Sequence, residues 1–500
     1  MTALANLGAA FVSICTPQSL ILMLAGVFVG IVFGSIPGLS ASMAVALFLP
    51  LTFSMSASLG MNVLVAVYIG GISGGLISAI LLNMPGTASS IATTFDGYPM
   101  AQKGEAMTAL GYGIVFSFLG SIFSFIVLTF CAPMLADVCL KFTPAENFGI
   151  CFFALAMVAI LAGDNFIKGI MAGMLGLMFT FIGMAPIDGT ARFTMQSLFG
   201  SSLLQGFDSL PTLIGIFAIA DILKSAEKLN AGAAETAQMK KVRGFGFSLQ
   251  DFVKQLPNAL RSAIIGTGIG ILPGIGGSTS GMLSYVAAKS MSKHPEEFGK
   301  GCPDGIVATE CANNATIGGA MIPLLVLGVP GDGVTAMMLG GFIIHGLSTG
   351  PLLFVNNGDV VYGIFAACMI CSFFMLIVEF FGIRAFVKLL SIPKHILLPC
   401  ILVLCAVGAY ATNNSMVDVK SIVLFGAVGY LYHKFGLATT PFVLCFLLGE
   451  MTETYLRRGI MLYGTFGAFF KRPIFDVFFA IAIGVILWSV YKQFFKKKAK

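Results

Sequence analysis

The sequence predicts an all-α polytopic membrane protein with roughly 10–14 helical membrane segments, and its composition and apolar patterning are the observations behind this prediction. Hydrophobic residues make up 57% of the 500 residues and charged residues 10%, whereas a soluble domain carries roughly 25% charged residues. The mean hydropathy is +0.95, and no Lys, Arg, Asp or Glu precedes Asp96. The apolar runs are continuous rather than alternating, so they favour membrane helices over a β-barrel.

Long apolar runs define the predicted segments, since a spanning helix needs about 20 mostly apolar residues. Residues 1–20 lack the basic region of a cleaved signal peptide, so the first hydrophobic segment is expected to remain and to help start insertion. The further runs cover residues 62–82, 108–131, 147–162, 167–187, 211–223, 313–329, 334–354, 360–381, 396–412, 420–432, 438–449 and 474–491.

Two glycine–proline signatures interrupt these segments, one in each half of the chain. They read Gly30-x-x-x-Gly34-x-x-Pro37-Gly38 and Gly266-x-x-x-Gly270-x-x-Pro273-Gly274. Each is followed by a further Pro-Gly, Pro85-Gly86 and Pro330-Gly331, with a glycine eleven residues before the proline. A lone Gly-x-x-x-Gly is mostly a packing motif, so the duplicated combination is the specific signal.

Such breaks leave backbone groups unpaired, which hydrocarbon tolerates only where the segment is buried or lines a wet cavity. Paired broken segments in two halves of one chain indicate a transporter site at a repeat interface. Proline fits the first helical turn, so each break is expected to start a half-helix whose N-terminus attracts anions. The predicted substrate-binding residues are Ser35, Pro37, Gly38, Ser40, Ser42, Asn83, Pro85, Gly86, Thr87, Pro273, Gly274, Gly276, Gly277, Ser278, Thr279, Ser280, Pro330 and Gly331.

Polar residues near the second pair of breaks are the predicted ion-coupling group: Asn313, Asn314, Thr316 and Asp332. Adjacent amides inside a membrane segment are costly unless they bond or ligate, and an intramembrane carboxylate is a functional candidate. Two alternatives remain open. The amides could belong to an interfacial first helical turn, and Asp332 could cap the next helix.

The chain is predicted to contain two membrane repeats, residues 1–235 and 236–500, joined by a basic loop at 224–261. Broken segments are expected near residues 30–42, 74–87, 266–281 and 313–332. The basic loop and the C-terminal Lys496–Lys500 belong in the cytoplasm by the positive-inside tendency. Because the uncharged N-terminus would translocate easily, the two signatures are expected to enter from opposite faces, as an inverted repeat.

Several other functions find no support in the residues. The eleven cysteines have no metal-ligand spacing and are expected to act as small hydrophobes, so no metal site or cofactor is predicted. The four histidines have no carboxylate at fixed spacing, which argues against an enzyme. The net charge of +6 needs no polyanionic partner, and no nucleic acid is expected; the predicted surroundings are a lipid bilayer. No Gly-x-x-x-x-Gly-Lys-Ser/Thr run for ATP is present.

Motifs along nearly the whole chain resemble the large membrane subunit of the tripartite tricarboxylate transporter family. In the second half they are Gly266-Thr-Gly-Ile-Gly-Ile-Leu-Pro-Gly-Ile-Gly-Gly277, Ser292-Lys-His-Pro-Glu-Glu-Phe-Gly-Lys-Gly301, Glu310-Cys-Ala-Asn-Asn-Ala315 and His345-Gly-Leu-Ser-Thr-Gly-Pro351. In the first half they are Gly34-Ser-Ile-Pro-Gly-Leu39, Asn83-Met-Pro-Gly86, Asp96-Gly-Tyr-Pro-Met-Ala101 and Pro211-Thr-Leu-Ile-Gly-Ile-Phe-Ala218.

The resemblance implies a multi-pass permease of the bacterial inner membrane that works with a periplasmic solute-binding protein and a small membrane subunit. It implies uptake of citrate or another di- or tricarboxylate by symport, driven by an ion gradient, with Na⁺ or H⁺ as the coupling ion. The residues alone leave two alternatives open: uptake of another small organic anion, and a channel-like pore.

Overall fold

A computed structural model describes residues 3–161, 166–194, 203–227, 246–389 and 394–494. These residues are almost entirely helical, and the all-α fold predicted from the sequence is confirmed. One small antiparallel hairpin pairs β1 (Gly183–Met184) with β2 (Ala191–Arg192). The middle of the basic loop, residues 228–245, and Lys496–Lys500 lie outside the described residues, so the predicted orientation stays a prediction.

The first half of the chain forms eleven described helices, interrupted by short 3₁₀ and π-helical turns. A 3₁₀ turn covers Ala88–Ser90, and π-helical turns cover Ala101–Glu105 and Ile214–Ile219. The helices are α1 (Ala3–Ile14), α2 (Pro17–Ser35), α3 (Ala41–Thr52), α4 (Ala57–Leu82), α5 (Thr94–Met100), α6 (Ala106–Cys139), α7 (Pro144–Ala156), α8 (Val158–Leu161), α9 (Phe166–Thr180), α10 (Ser209–Leu213) and α11 (Ala220–Glu227).

The second half forms ten more described helices, with 3₁₀ turns at Pro295–Glu297 and Phe466–Lys471. They are α12 (Leu249–Ile271), α13 (Gly276–Met291), α14 (Pro303–Leu327), α15 (Gly333–Ile344), α16 (Pro351–Asn356), α17 (Gly358–Leu389), α18 (Lys394–Asn413), α19 (Met416–Phe435), α20 (Thr439–Tyr463) and α21 (Pro473–Phe494).

Six helical stretches of the described chain are long and apolar enough to cross a membrane. They are Pro17–Ser35, Ala57–Leu82, Thr94–Cys139, Ser209–Glu227, Gly358–Ile383 and Pro473–Lys492. Shorter apolar helices accompany them, and two of these, α3 and α15, begin directly after Pro-Gly breaks. A polytopic membrane protein with broken segments therefore fits the observed helices.

The chain divides into two compact units, each built from two separate stretches of sequence. Unit 1 contains residues 1–136 and 221–408, and unit 2 contains residues 137–220 and 409–500. All four Pro-Gly breaks lie in unit 1. The predicted boundary near residue 235 separates two sequence repeats, and the compact units are divided differently. The inverted repeat therefore stays a prediction.

Glycines bring the helices of unit 1 into close contact. On the α2–α4 seam, a Cβ at Gly30 or Gly34 would collide with the backbone of α4. On the α12–α14 seam, a Cβ at Gly266 would collide with the carbonyl of Ala312, and one at Gly270 would lie 2.6 Å from the carbonyl oxygen of Thr316. The Gly-x-x-x-Gly part of both signatures therefore serves helix packing. The Pro-Gly breaks follow at the ends of α2 and α12, the helices that these glycines pack against α4 and α14.

Aromatic rings fill unit 2. Phe148, Phe469 and Phe475 form a buried cluster with ring centroids 5.5–6.3 Å apart. A second group surrounds Phe425, which lies 5.0 Å from Phe179 between ring centroids. Ring pairs at these separations prefer tilted or offset geometries. Glycine contacts occur beside them, since a Cβ at Gly176 of α9 would collide with the carbonyl of Phe442 in α20.

Candidate substrate and ion site

The first break separates α2 from α3 within a few residues. Ser35 ends α2, Pro37 is buried, and Gly38 has a φ of +94°, which favours glycine. Ser40 is the N-cap of α3, and its hydroxyl accepts a hydrogen bond of 3.1 Å from the amide of Met43. Proline and glycine thus end one helix and start another here, as the sequence predicts.

A carboxylate of the chain itself lies at this break. The Ser40 hydroxyl donates to Asp221 Oδ2 at 3.0 Å and lies 3.0 Å from the Ser42 hydroxyl. The Ser225 hydroxyl donates to the Gly38 carbonyl at 2.7 Å. Helix α11 therefore contacts the first break with one carboxylate and one hydroxyl, and the N-terminus of α3 already faces a negative charge.

The second Pro-Gly of the first half follows α4 directly. Asn83 ends this helix in the left-handed conformation with φ +54°. Asn83 and Pro85 are exposed, whereas Gly86 and Thr87 are buried. A side chain at Gly86 would collide with the carbonyl of Gly34. The two breaks of the first half are therefore in direct backbone contact.

The two breaks of the second half meet in the same way. The Gly274 amide donates to the Gly331 carbonyl at 2.8 Å, and a Cβ at Gly331 would lie 2.9 Å from the carbonyl oxygen of Gly270. Gly274 and Gly276 have φ values of +78° and +69°. Pro273 and Pro330 are both buried here, as a break within a membrane interior requires.

Asp332 caps α15, which is one of the two interpretations left open by the sequence. Its Oδ1 accepts hydrogen bonds from the Thr335 amide at 2.7 Å and the Thr335 hydroxyl at 2.8 Å. Its Oδ2 accepts a hydrogen bond of 2.6 Å from the hydroxyl of Tyr68 in α4. Both carboxylate oxygens are thus already engaged, one of them by the first half of the chain.

Segments from the two halves meet crosswise in unit 1. Helix α3 packs against α15, and the 3₁₀ turn Ala88–Ser90 packs against α13 and α14. A Cβ at Gly277 would lie 2.6 Å from Asn313 Oδ1 and 3.0 Å from Ser89 Oγ. The segment after each break therefore contacts the other half of the chain.

The hydroxyl residues of α13 have different surroundings. Ser280 is buried, and its hydroxyl lies 2.6 Å from the hydroxyl of Thr316. Ser278 is half-buried and Thr279 is exposed. No side chain caps the N-terminus of this helix, in contrast to α3 and α15. Among the half-helices that follow breaks, α13 therefore leaves its N-terminal dipole without a capping side chain.

A buried acidic group that was not among the predicted site residues lies beside this region. Glu310 of α14 is completely buried and accepts hydrogen bonds from the hydroxyls of Thr93 and Ser117, the latter at 3.2 Å. The Asn314 amide nitrogen donates to Ser117 at 2.8 Å and to the Glu310 carbonyl at 3.1 Å. The signal in the sequence was the carboxylate three and four residues before the two asparagines, a spacing that places all three on one helix face.

The two asparagines leave polar atoms without hydrogen-bond partners. The Oδ1 atoms of Asn313 and Asn314 are buried and have no hydrogen-bond partner among the described residues, while the side-chain amide of Asn313 lies within hydrogen-bonding reach of Glu310. Most buried polar atoms in proteins have a partner, so these two oxygens are exceptions in the interior of unit 1. No group of three His, Cys, Asp or Glu residues suited to a metal occurs in the described part of the chain, and the oxygens available here come instead from one carboxylate, amides and hydroxyls.

Broken helices from two halves of a chain that meet around buried polar groups are characteristic of membrane transporters. The profile of the Tripartite tricarboxylate transporter TctA family matches residues 20–444, and the chain belongs to this family. The resemblance seen in the sequence is thereby confirmed. The family is one of transporters rather than enzymes, and its tripartite nature implies partner subunits.

Two relatives come from Agrobacterium vitis. The first is described as an uncharacterized 52.8 kDa protein in the TAR-I ttuC' 3' region; it is 32% identical over 501 residues, which cover 100% of this chain and 99% of the relative. The second is described as an uncharacterized protein in the TAR-II ttuC' 3' region; it is 36% identical over 210 residues, 42% of this chain and 87% of the relative. No solved structure matches the chain.

Proposed function

We propose that this protein is the permease subunit of an ion-gradient-driven symporter for a di- or tricarboxylate of the citrate type, located in the bacterial inner membrane with a cytoplasmic C-terminus. Its partners would be a periplasmic solute-binding protein and a small membrane subunit. The observation that carries the proposal is the crosswise meeting of the broken segments in a chain of the TctA family.

The N-terminus of α13 is the proposed position for a substrate carboxylate. This helix follows Pro273-Gly274, has no capping side chain, and presents Ser278 and Thr279 at its less buried face. A helix N-terminus attracts anions through its free amides and its dipole. The first break is less suited, because Ser40 already caps α3 and its hydroxyl donates to Asp221.

Uptake of radiolabelled citrate into cells tests this proposal when the chain is produced together with its partner subunits. We expect Gly274→Leu to abolish uptake, because leucine rarely adopts the positive φ of this position and would strain the break whose amide bonds to Gly331. Lys289→Ala, in the last turn of α13, should retain uptake. Membrane expression and gel-filtration profiles of both variants provide the control for folding.

The opposite pattern, transport by Gly274→Leu and none by Lys289→Ala, would replace the proposed site with a charged one near the end of α13. Substrate competition with other organic anions tests the substrate class. A channel would let the substrate move only down its own electrochemical gradient, and this movement would need no binding protein. A coupled carrier would instead accumulate the substrate against that gradient.

A further inference from the structure

We infer that Glu310, Asn313 and Asn314 form a Na⁺ site with hydroxyl oxygens from the first half of the chain. This inference rests on the proposed function for its choice of ion, because an inward gradient of that ion has to drive uptake. It takes Glu310 rather than Asp332 as the charged ligand, because Asp332 already caps α15, whereas Glu310 is completely buried beside two amide oxygens without partners.

Charge is the first argument. Glu310 is completely buried, and within the described residues no Lys, Arg or His forms an ion pair with it. A carboxylate in such a place has to be neutralised by a proton or by a bound cation. One carboxylate surrounded by neutral oxygens balances one positive charge, which favours a monovalent ion over a divalent ion that collects several carboxylates.

The unbonded amides are the second argument, and they distinguish a metal ion from a proton. A proton on Glu310 would neutralise the carboxylate but would leave Asn313 Oδ1 and Asn314 Oδ1 without partners. A cation bound by these oxygens accounts for all three groups together. Asn313 is 1% exposed and Asn314 is fully buried, so bulk water does not offer an alternative partner.

The close approach at Gly277 is the third argument. Asn313 Oδ1 and Ser89 Oγ would lie 2.6 and 3.0 Å from a Cβ at this position. Glycine therefore lets the backbone of α13 come close to two oxygen donors from different halves of the chain. The site therefore joins the turn after Pro85-Gly86 to the helix after Pro273-Gly274, so that binding of an ion would stabilise the contact between both breaks.

Equilibrium binding of ²²Na⁺ to the full-length protein in lipid nanodiscs tests the site, with choline and K⁺ as competitors. We expect saturable Na⁺ binding that choline does not displace, and a loss of roughly tenfold or more in affinity for Glu310→Gln, the size expected when a charged partner is removed. Asp359→Asn is the control. Asp359 is an exposed carboxylate in the first turn of α17, so this variant should bind Na⁺ like the wild type.

A second pair of variants keeps the test decisive if Glu310→Gln does not fold. Gly277→Ala should weaken Na⁺ binding because its methyl group would contact Asn313 and Ser89. Gly281→Ala, one turn further along α13, should not, because its methyl group would lie 3.5 Å from the nearest carbonyl oxygen. Absence of Na⁺ binding in the wild type, displacement by K⁺ at equal concentration, or equal binding by Gly277→Ala and Gly281→Ala would overturn the inference.

Binding and uptake are measured separately, so the inference and the proposed function can fail independently. If Na⁺ binding depends on Glu310 but no carboxylate is taken up, the proposed function is contradicted and the Na⁺ site is still supported. If a cation gradient drives carboxylate uptake but Glu310→Gln binds Na⁺ unchanged, the Na⁺ site is contradicted and the proposed function is still supported.

Discussion

Two buried glutamates of unit 1 and one glutamate of unit 2 have different partners for their carboxylates. In unit 2, Glu453 is 12% exposed and forms ion pairs of 2.9 Å with Arg192 and 2.8 Å with Arg457. In unit 1, Glu310 and Glu379 are completely buried and have only hydroxyl and amide donors. Two arginines therefore balance the charge of Glu453, whereas among the described residues no Lys, Arg or His forms an ion pair with Glu310 or Glu379.

The hairpin of unit 2 contains a further acidic side chain that is paired with an arginine. The backbone amide of Thr190 and the guanidinium of Arg457 lower the pKa of Asp188, so its carboxylate stays charged. Arg457 lies 3.0 Å from Asp188 and also contacts Glu453, which links the hairpin to α20. Such networks suit a region with one stable arrangement. Buried carboxylates without basic partners are instead typical of ion and proton pathways in membrane proteins.

Packing also differs between the units. Both contain glycines that bring helix backbones into contact, and in unit 2 buried phenylalanine clusters add to this packing. Close backbone contact places the Pro-Gly breaks of each half side by side. A side chain on a glycine seam would therefore disturb both the helix pair and the breaks.

The largest expected effect comes from blocking a glycine seam. A side chain at Gly266 would collide with the carbonyl of Ala312, whereas Gly268, in the same helix, has no atom within 4 Å of its Cβ position. We expect Gly266→Leu to abolish the monodisperse folded protein, since overpacking costs about 1–3 kcal/mol or more and backbone cannot yield as a side chain does. Gly268→Leu should retain it. Detergent gel filtration and thermal unfolding measure both.

Equal behaviour of these two leucine variants would show that the α12–α14 seam is not rigid. A corresponding variant in unit 2 is Gly176→Leu, where the side chain would meet the carbonyl of Phe442. It tests whether backbone contact matters as much where aromatic packing dominates.

The sequence predicted the helix breaks better than it predicted their partners. Pro37-Gly38 and Pro273-Gly274 end helices for local reasons, because proline lacks an amide hydrogen and glycine tolerates a positive φ. The partners of Glu310 are Thr93 and Ser117, about 200 residues away in the chain. Contacts between residues so far apart leave no periodic pattern in the sequence. The sequence therefore showed that Glu310 belongs to a motif, but it could not show that no basic side chain pairs with it.

An intermediate effect is expected from removing one acidic group in each unit. Glu453→Gln should destabilise the protein by about 1–2 kcal/mol, between the values for exposed and buried ion pairs, because Arg192 loses its charged partner. Glu379→Gln should change stability by less than about 0.5 kcal/mol or raise it, because a neutral amide of the same shape replaces a buried carboxyl group. Thermal unfolding in Na⁺-free buffer compares them.

If Glu379→Gln destabilised the protein as much as Glu453→Gln does, Glu379 would have a fixed charged partner, and the contrast between the units would be wrong. A preserved stability in both variants would instead show that the ion pair of Glu453 contributes little.

The smallest expected effect concerns the neutral hydroxyls of unit 1, and it asks whether single hydroxyls or the whole network hold the polar interior together. The buried Ser280 hydroxyl lies 2.6 Å from that of Thr316, while the neighbouring Thr279 is exposed. Ser280→Ala should cost about 0.5–1.5 kcal/mol, the net worth of one neutral hydrogen bond, and Thr279→Ala should stay within about 0.5 kcal/mol. Thermal unfolding resolves this difference if the two alanine variants are measured side by side.

A cost for Ser280→Ala well above that of one hydrogen bond would mean that Ser280 and Thr316 belong to a cooperative network. The hydroxyls of unit 1 would then hold its interior as firmly as the arginines hold unit 2, and the contrast would be confined to charge.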